Sequence, residues 1–221
     1  MIDIRLIENN PVLIELQYLP NLEYFIIFSK SERVIIEAKE SFIKQTFRNR
    51  CYIKTANSIE TMSIPVKKGQ RQIKDIQIDY RQSWLKDHWR TITSAYGKSP
   101  FFEYYRDGFE AILFGKETFL FDLNWKLLTK CLEFLGLEKD IKFTDNYEFN
   151  PKSPVLDLRS LILPKIGYGE RGIYTAHAYN QIFGKDFAGN LSVIDLLFCE
   201  GPQSLSILHK SIREGAEQIK N

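Results

Sequence analysis

Histidine is scarce in this chain of 221 residues, with only His88, His177 and His209. Three imidazoles so widely scattered do not make a metal site. Cysteine is as rare: Cys51, Cys131 and Cys199 are odd in number, far apart and without a CxxC. That argues against a disulfide framework or a thiolate zinc site and fits a reducing compartment. No apolar run approaches the roughly 18–20 residues needed to cross a bilayer. The start of the chain mixes acids with apolar residues and has no signal-peptide core, so a soluble, cytoplasmic protein is expected. The one GxGxxG, Gly167-Tyr168-Gly169-Glu170-Arg171-Gly172, falls in a loop region rather than between a strand and a helix, and no GxxxxGKS/T occurs, so no standard dinucleotide or P-loop site is indicated. The formal charge is only +2, too small to indicate a nucleic-acid partner.

Aromatic residues are plentiful at 14%, and hydrophobic residues make up 44%. This composition excludes wholesale disorder and can fill a large core or line a groove with rings. Val12-Leu13-Ile14-Glu15-Leu16 reads as a strand. Asn21 then caps a helix through Leu22 to Phe28, and Arg33 to Ala38 is β-branched and reads as a second strand. This β–α–β order predicts a parallel pair in an α/β protein, with α+β as the other class the pattern allows. Cys51–Lys54 and Thr61–Val66 read as a hairpin, giving an N-terminal mixed sheet over 1–80.

Helical spacing dominates 81–149. Ser83 is placed to cap a helix through Trp84, His88, Ile92 and Tyr96; Pro100 opens a second. A third runs from about Phe121 to Leu135, with Gly136 as its C′ residue. Residues 140–149 look extended. Glycine and proline punctuate 150–189 into a long loop region, and helices return over 190–221, stopped by Gly201 and restarted at Pro202. The expectation is a single domain.

Several segments resemble the WbqC-like family in the same order along nearly the whole chain. They include Tyr18-Leu19-Pro20-Asn21-Leu22-Glu23-Tyr24-Phe25, then Arg48-Asn49-Arg50, Ser63-Ile64-Pro65-Val66, Trp84-Leu85-Lys86-Asp87-His88-Trp89, Tyr96-Gly97-Lys98-Ser99-Pro100, and Asn190 through Phe198. The resemblance implies a bacterial protein of surface-polysaccharide (O-antigen-type) assembly. For the reaction it implies transfer of a glycyl or other acyl group to a nucleotide-linked or lipid-linked sugar. The chain departs from the pattern at two places. Many members carry Gln-Pro where this chain has Glu15-Leu16, and Gly where it has Glu23.

His88 is the leading candidate for general acid or base, because imidazole titrates near neutrality. Its helical spacing equally fits a histidine packed beside Trp84. Lys44, Arg48, Asn49 and Arg50 form a basic, polar cluster. The guanidinium fork suits a diphosphate or carboxylate, and a solvated edge is the other reading. Tyr18 lies where the first strand meets its helix, the end of an open α/β sheet where ligands bind; a hydrophobic turn explains it as well. A cleft lined by Tyr18, Arg48, Arg50, Tyr80, His88 and Tyr96 is predicted. Asn190 and Asp195 complete the substrate-binding set, although Asn190 also suits a helix cap. The cysteines read as buried structural thiols. An accessory protein that binds a glycan intermediate or a partner enzyme, without catalysis, is the second reading. Cofactor and oligomeric state stay open.

Overall fold

The computed structural model describes residues 2–184 and 186–213. A short helix, α1 (Ile4–Glu8), capped by the Asp3 carboxylate, precedes strand β1 (Val12–Glu15). Helix α2 (Leu22–Lys30) follows, and the Asn21 side chain accepts from the Tyr24 N–H as the sequence predicts. Seven consecutive residues of α2, Leu22 to Phe28, are buried, the pattern of a helix enclosed on all sides. Strand β2 (Arg33–Glu37) then pairs parallel to β1, with Glu15 opposite Glu37.

The α/β class holds, but the expected mixed sheet resolves into two. One is a four-stranded, all-parallel sheet, ordered β5-β2-β1-β6. The other is the predicted hairpin, β3 (Arg50–Lys54) with β4 (Ile59–Ser63), which pairs only with itself. Its second arm stops at Ser63; Val66 instead bridges to Ile78. The two outer strands of the parallel sheet come from late in the chain. Strand β5 (Asp140–Phe143) is the first part of the segment expected to be extended to residue 149. Strand β6 (Leu156–Asp157) lies inside the region read as pure loop. Two residues carry no periodicity, so this strand had no signal in the pattern.

Helices α3 (Trp84–Tyr96), α4 (Phe102–Phe114) and α5 (Leu120–Leu135) fall where predicted. Gly136 ends α5 at φ 68°, the left-handed C′ conformation. Ser83 stands at the N-cap of α3, but its hydroxyl turns to the Asp87 carboxylate rather than to a backbone N–H. Helices α6 (Val193–Glu200) and α7 (Ser204–Lys210) close the described chain. Helix α6 is buried from Val193 to Cys199 and packs against α3, α4, α5 and β3. Phe198 anchors it among the rings of Tyr96, Phe102 and Phe109, with centroids 5.1–5.7 Å away. Gly201 has φ 53°, and a Cβ there would stand 2.4 Å from the Phe101 ring, so only glycine lets α6 turn into α7. All three cysteines are buried thiols. Among the described residues no helix is long and apolar enough to cross a membrane.

Candidate functional site

All four parallel strands end at one edge of the sheet, and acids crowd there. Strand β1 ends in Glu15 and β2 in Glu37, side by side and buried; Glu40 lies just beyond β2, and Asp157 ends β6. Neighbouring buried carboxylates repel and lose hydration, so each must be held by donors. Arg48 clasps Glu40 with two bonds, Nε to Oε1 at 2.7 Å and an Nη to Oε2 at 2.6 Å, and lies 4.0 Å from Glu15. Glu15 accepts from the Ser160 N–H at 2.7 Å and from the Gln17 amide at 2.8 Å. Arg159 binds Asp157 through two nitrogens and reaches Glu37 at 2.8 Å. Thr144 and the Lys39 N–H complete the shell of Glu37. Burial lifts the Glu40 carboxyl above its ordinary range; Arg48 opposes the rise, and nearby Glu15 and Glu37 add to it.

A hollow of about 590 Å³ opens over this network. Glu40, Asp157, Arg159 and Ser160 form its polar floor, and Tyr147 and Phe149 rise at its rim. Both rings are exposed, Tyr147 by 50% and Phe149 by 81%. The Tyr147 ring lies 4.7 Å from the Arg159 guanidinium, which fixes one face of the rim by a cation–π contact. Ser160 adopts φ 59°, a strained conformation for a residue with a side chain; it turns the Ser160 N–H onto Glu15. Among the described residues no cluster of histidine, cysteine and acids is arranged to hold a metal ion.

The residues singled out from the sequence do not line one cleft. Arg48 is buried and spent on Glu40, so it does not grip an external anion as expected; the acids around it, not a ligand, set its direction. Arg50 is half-buried at the start of β3, its Nε without a hydrogen-bond partner among the described residues. Lys44 is exposed, and Asn49 donates to the Ile64 carbonyl at 2.8 Å. Tyr80 donates to the Glu117 carbonyl and packs beside Trp84. Tyr96 and Asp195 do meet: the Tyr96 hydroxyl donates to Oδ1 at 2.8 Å, while Tyr179 and Gln181 donate to Oδ2 at 2.5 and 2.9 Å. Burial raises the Asp195 carboxyl, and the three donors oppose the rise. Asn190 is buried against Glu23, donating to Oε2 at 3.1 Å and accepting from the Glu23 N–H at 2.9 Å.

Tyr18 and His88 are also brought together, with the Tyr18 oxygen 3.1 Å from Nδ1. The nearby Ser63 backbone favours the protonated form of the ring. Which of the two groups donates in the Tyr18–Nδ1 contact is set by the imidazole tautomer. Trp84 packs edge-on at 5.1 Å. Burial pulls the His88 pKa down to about 4, with Ser63 and Asp87 opposing. So placed, His88 is a clamp between the β1–α2 turn, α3 and the hairpin.

This makes a pH prediction with a definite sign. Below pH 6.5 the unfolded chain takes up a proton that folded His88 refuses, so stability falls until about pH 4. The depression corresponds to about 3 kcal/mol, and above pH 6.5 it contributes nothing. Urea unfolding of the protein and of a His88→Asn variant, which keeps an acceptor near Tyr18, should therefore converge in stability between pH 6.5 and 4. Parallel curves would refute the assignment.

The sequence reading missed Glu37, Glu40, Asp157, Arg159, Tyr147 and Phe149. One signal was present: two successive apolar strands of a β–α–β unit each end in glutamate, which places paired acids where parallel sheets bind ligands.

No solved structure matches the chain. It is similar to the uncharacterised protein Rv1507c of Mycobacterium tuberculosis, 28% identical over 140 residues. The match covers 62% of this chain and 60% of that protein, less than two thirds of the relative's length. A model of the WbqC-like protein family matches residues 17–163, a stretch that holds Arg48, Glu37, Glu40, His88, Asp157 and Arg159. The chain belongs to the WbqC-like protein family.

Proposed function

We propose that this protein serves surface-polysaccharide assembly by holding the sugar of a nucleotide-linked or lipid-linked intermediate in the hollow at the carboxyl edge of the parallel sheet. There the sugar receives an acyl group, of which glycyl is one. The observation that carries this reading is the pairing of two exposed rings, Tyr147 and Phe149, with a floor of prearranged acids and arginine. Rings cover the apolar face of a sugar, and fixed carboxylate oxygens accept from its hydroxyls or from an amine. The lining balances two acids, Glu40 and Asp157, with two bases, Lys39 and Arg159, and the acids and Arg159 are bonded to the protein, which suits a neutral sugar better than its phosphates. A neutral amine acceptor is itself the nucleophile. It attacks the carbonyl carbon of an activated acyl donor, expels the donor's leaving group and gives its proton to solvent, so the site has to orient it rather than supply a nucleophile.

Binding without catalysis is the second reading. It is favoured by one observation: every carboxylate of the floor is already engaged by a donor of the protein.

A thermal-shift series against nucleotide sugars, with and without an amino group, tests the site. A bound sugar should raise the melting temperature of the protein. Phe149→Ala removes an exposed ring and should leave the unliganded protein's melting temperature unchanged. It should weaken binding several-fold, about the 0.5–1.5 kcal/mol of an aromatic contact. If binding is undiminished in Phe149→Ala and also in Tyr147→Ala, the hollow is not the sugar site. Incubating the bound sugar with an activated acyl donor and following its mass then separates transfer from binding.

A further inference from the structure

The β3–β4 hairpin has one edge in use and one free. Its ladder alternates in a way fixed by two bonds at its ends, Ile64 N–H to the Asn49 carbonyl and Thr55 N–H to the Ser58 carbonyl. Hydrogen-bonded pairs therefore fall at 51–62 and 53–60, and the residues between them point their backbone groups outward. On β3 two of these outward groups are taken: the Tyr52 carbonyl accepts from the Ser192 N–H, and the Lys54 N–H donates to Tyr96. On β4 the outward residues are Ile59, Thr61 and Ser63. The N–H groups of all three, and the carbonyls of Ile59 and Thr61, have no partner among the described residues. No proline or lysine blunts this edge, as such residues do on protected edge strands.

A second hollow, of about 560 Å³, lies against that edge. Thr61 and Met62 of β4 form one wall, and Asp87, Thr91 and Ser94 of α3 form the other. A groove between an exposed strand edge and a helix is the geometry in which an extended peptide adds a strand to a sheet. Charge narrows the occupant. Asp87 is shared with Arg90 at 3.0 Å, whereas among the described residues the exposed Glu60 carboxylate is met only by the Ser58 hydroxyl at 3.4 Å. We infer that the groove between β4 and α3 binds an extended peptide segment of a partner protein, about five residues long, carrying a lysine or arginine opposite Glu60. The length follows from the five residues of β4, about 17 Å at the rise of a strand. This inference is independent of the sugar hollow.

The test is a selection from a displayed library of random heptapeptides, followed by synthesis of the enriched sequences. Thr61→Pro removes an outward N–H and no bond of the hairpin ladder, so the hairpin is expected to form; circular dichroism and thermal melting verify it. The enriched peptides should contain basic residues, slow hydrogen exchange at the Thr61 amide, and bind Thr61→Pro at least tenfold more weakly. Glu60→Lys, which leaves the edge intact, should shift the selection toward acidic peptides. No enrichment over the bare support, or peptides that bind Thr61→Pro equally well, would overturn the proposal. A concentration-dependent dimer abolished by Thr61→Pro would also overturn it, by assigning the edge to a second copy of this chain.

Discussion

Replacing Arg48 by methionine should destabilise the protein by about 3–5 kcal/mol at pH 7, the cost of leaving a buried charge without its partner. Methionine fills much of the space, so the loss is electrostatic. It falls chiefly on Glu40, which keeps no other side-chain donor among the described residues, and adds to the repulsion from Glu15 and Glu37. For a protein of this size the melting temperature should drop by about 6–20 °C. The loss should also depend on pH. Burial already raises the Glu40 carboxyl, and without Arg48 it rises further. A carboxyl raised in the folded state binds its proton more tightly there than in the unfolded chain. Stability is then greatest where Glu40 is protonated and is lost as the pH climbs through its folded pKa. The Arg48→Met variant should thus regain stability relative to the parent as the pH is lowered from 7 toward 5. Adding Glu40→Gln should recover most of the loss at pH 7. A variant equally weakened at both pH values would show that packing of the arginine stem, not its charge, matters there.

Much of the scaffold was legible from the sequence because its signals are local. The Asn21 cap, the β-branched run of β2, the 3.6-residue spacing of α3 and the glycine after α5 each act within a few residues. The sheet was less legible because its outer strands are short and come from residues 140–143 and 156–157, more than 100 residues from the strands they join. The site was hidden for the same reason. Glu15, Glu37, Arg48 and Arg159 meet only after both late strands are in place. The basic cluster at 48–50 looked like an anion grip because its acidic partners lie in other segments. Arg48 is turned inward by Glu40, while Arg50, two residues on, lies in β3 of the other sheet. His88 illustrates the opposite case. Its spacing places it beside Trp84, yet its polar side-chain contact is with the Tyr18 hydroxyl, 70 residues away.

Arg171→Met should cost about 3–5 kcal/mol for the same general reason as Arg48→Met, but with a different remedy. Glu23 is fully buried in the first turn of α2. The Arg171 Nε lies 2.9 and 2.8 Å from its two oxygens, and an Nη lies 2.6 Å from Oε2. Asn190 supplies a further bond to the same oxygen. Both partners lie beyond residues 17–163, the part that the family model matches. Glu23 therefore ties the part matched by the family model to a segment of this chain outside it. Burial raises the Glu23 carboxyl, and Arg171 opposes the rise. Removing the arginine leaves the acid with Asn190 alone. Glu23→Gln in the Arg171→Met background removes the stranded charge and keeps an oxygen to accept from Asn190. The pair of substitutions should then cost less than Arg171→Met by itself, with a coupling energy of about 1–3 kcal/mol in a double-mutant cycle. Urea unfolding of the four proteins at pH 7 measures it. Additive losses, with no coupling, would mean that Arg171 stabilises the chain through its bond to the Ile166 carbonyl rather than through Glu23.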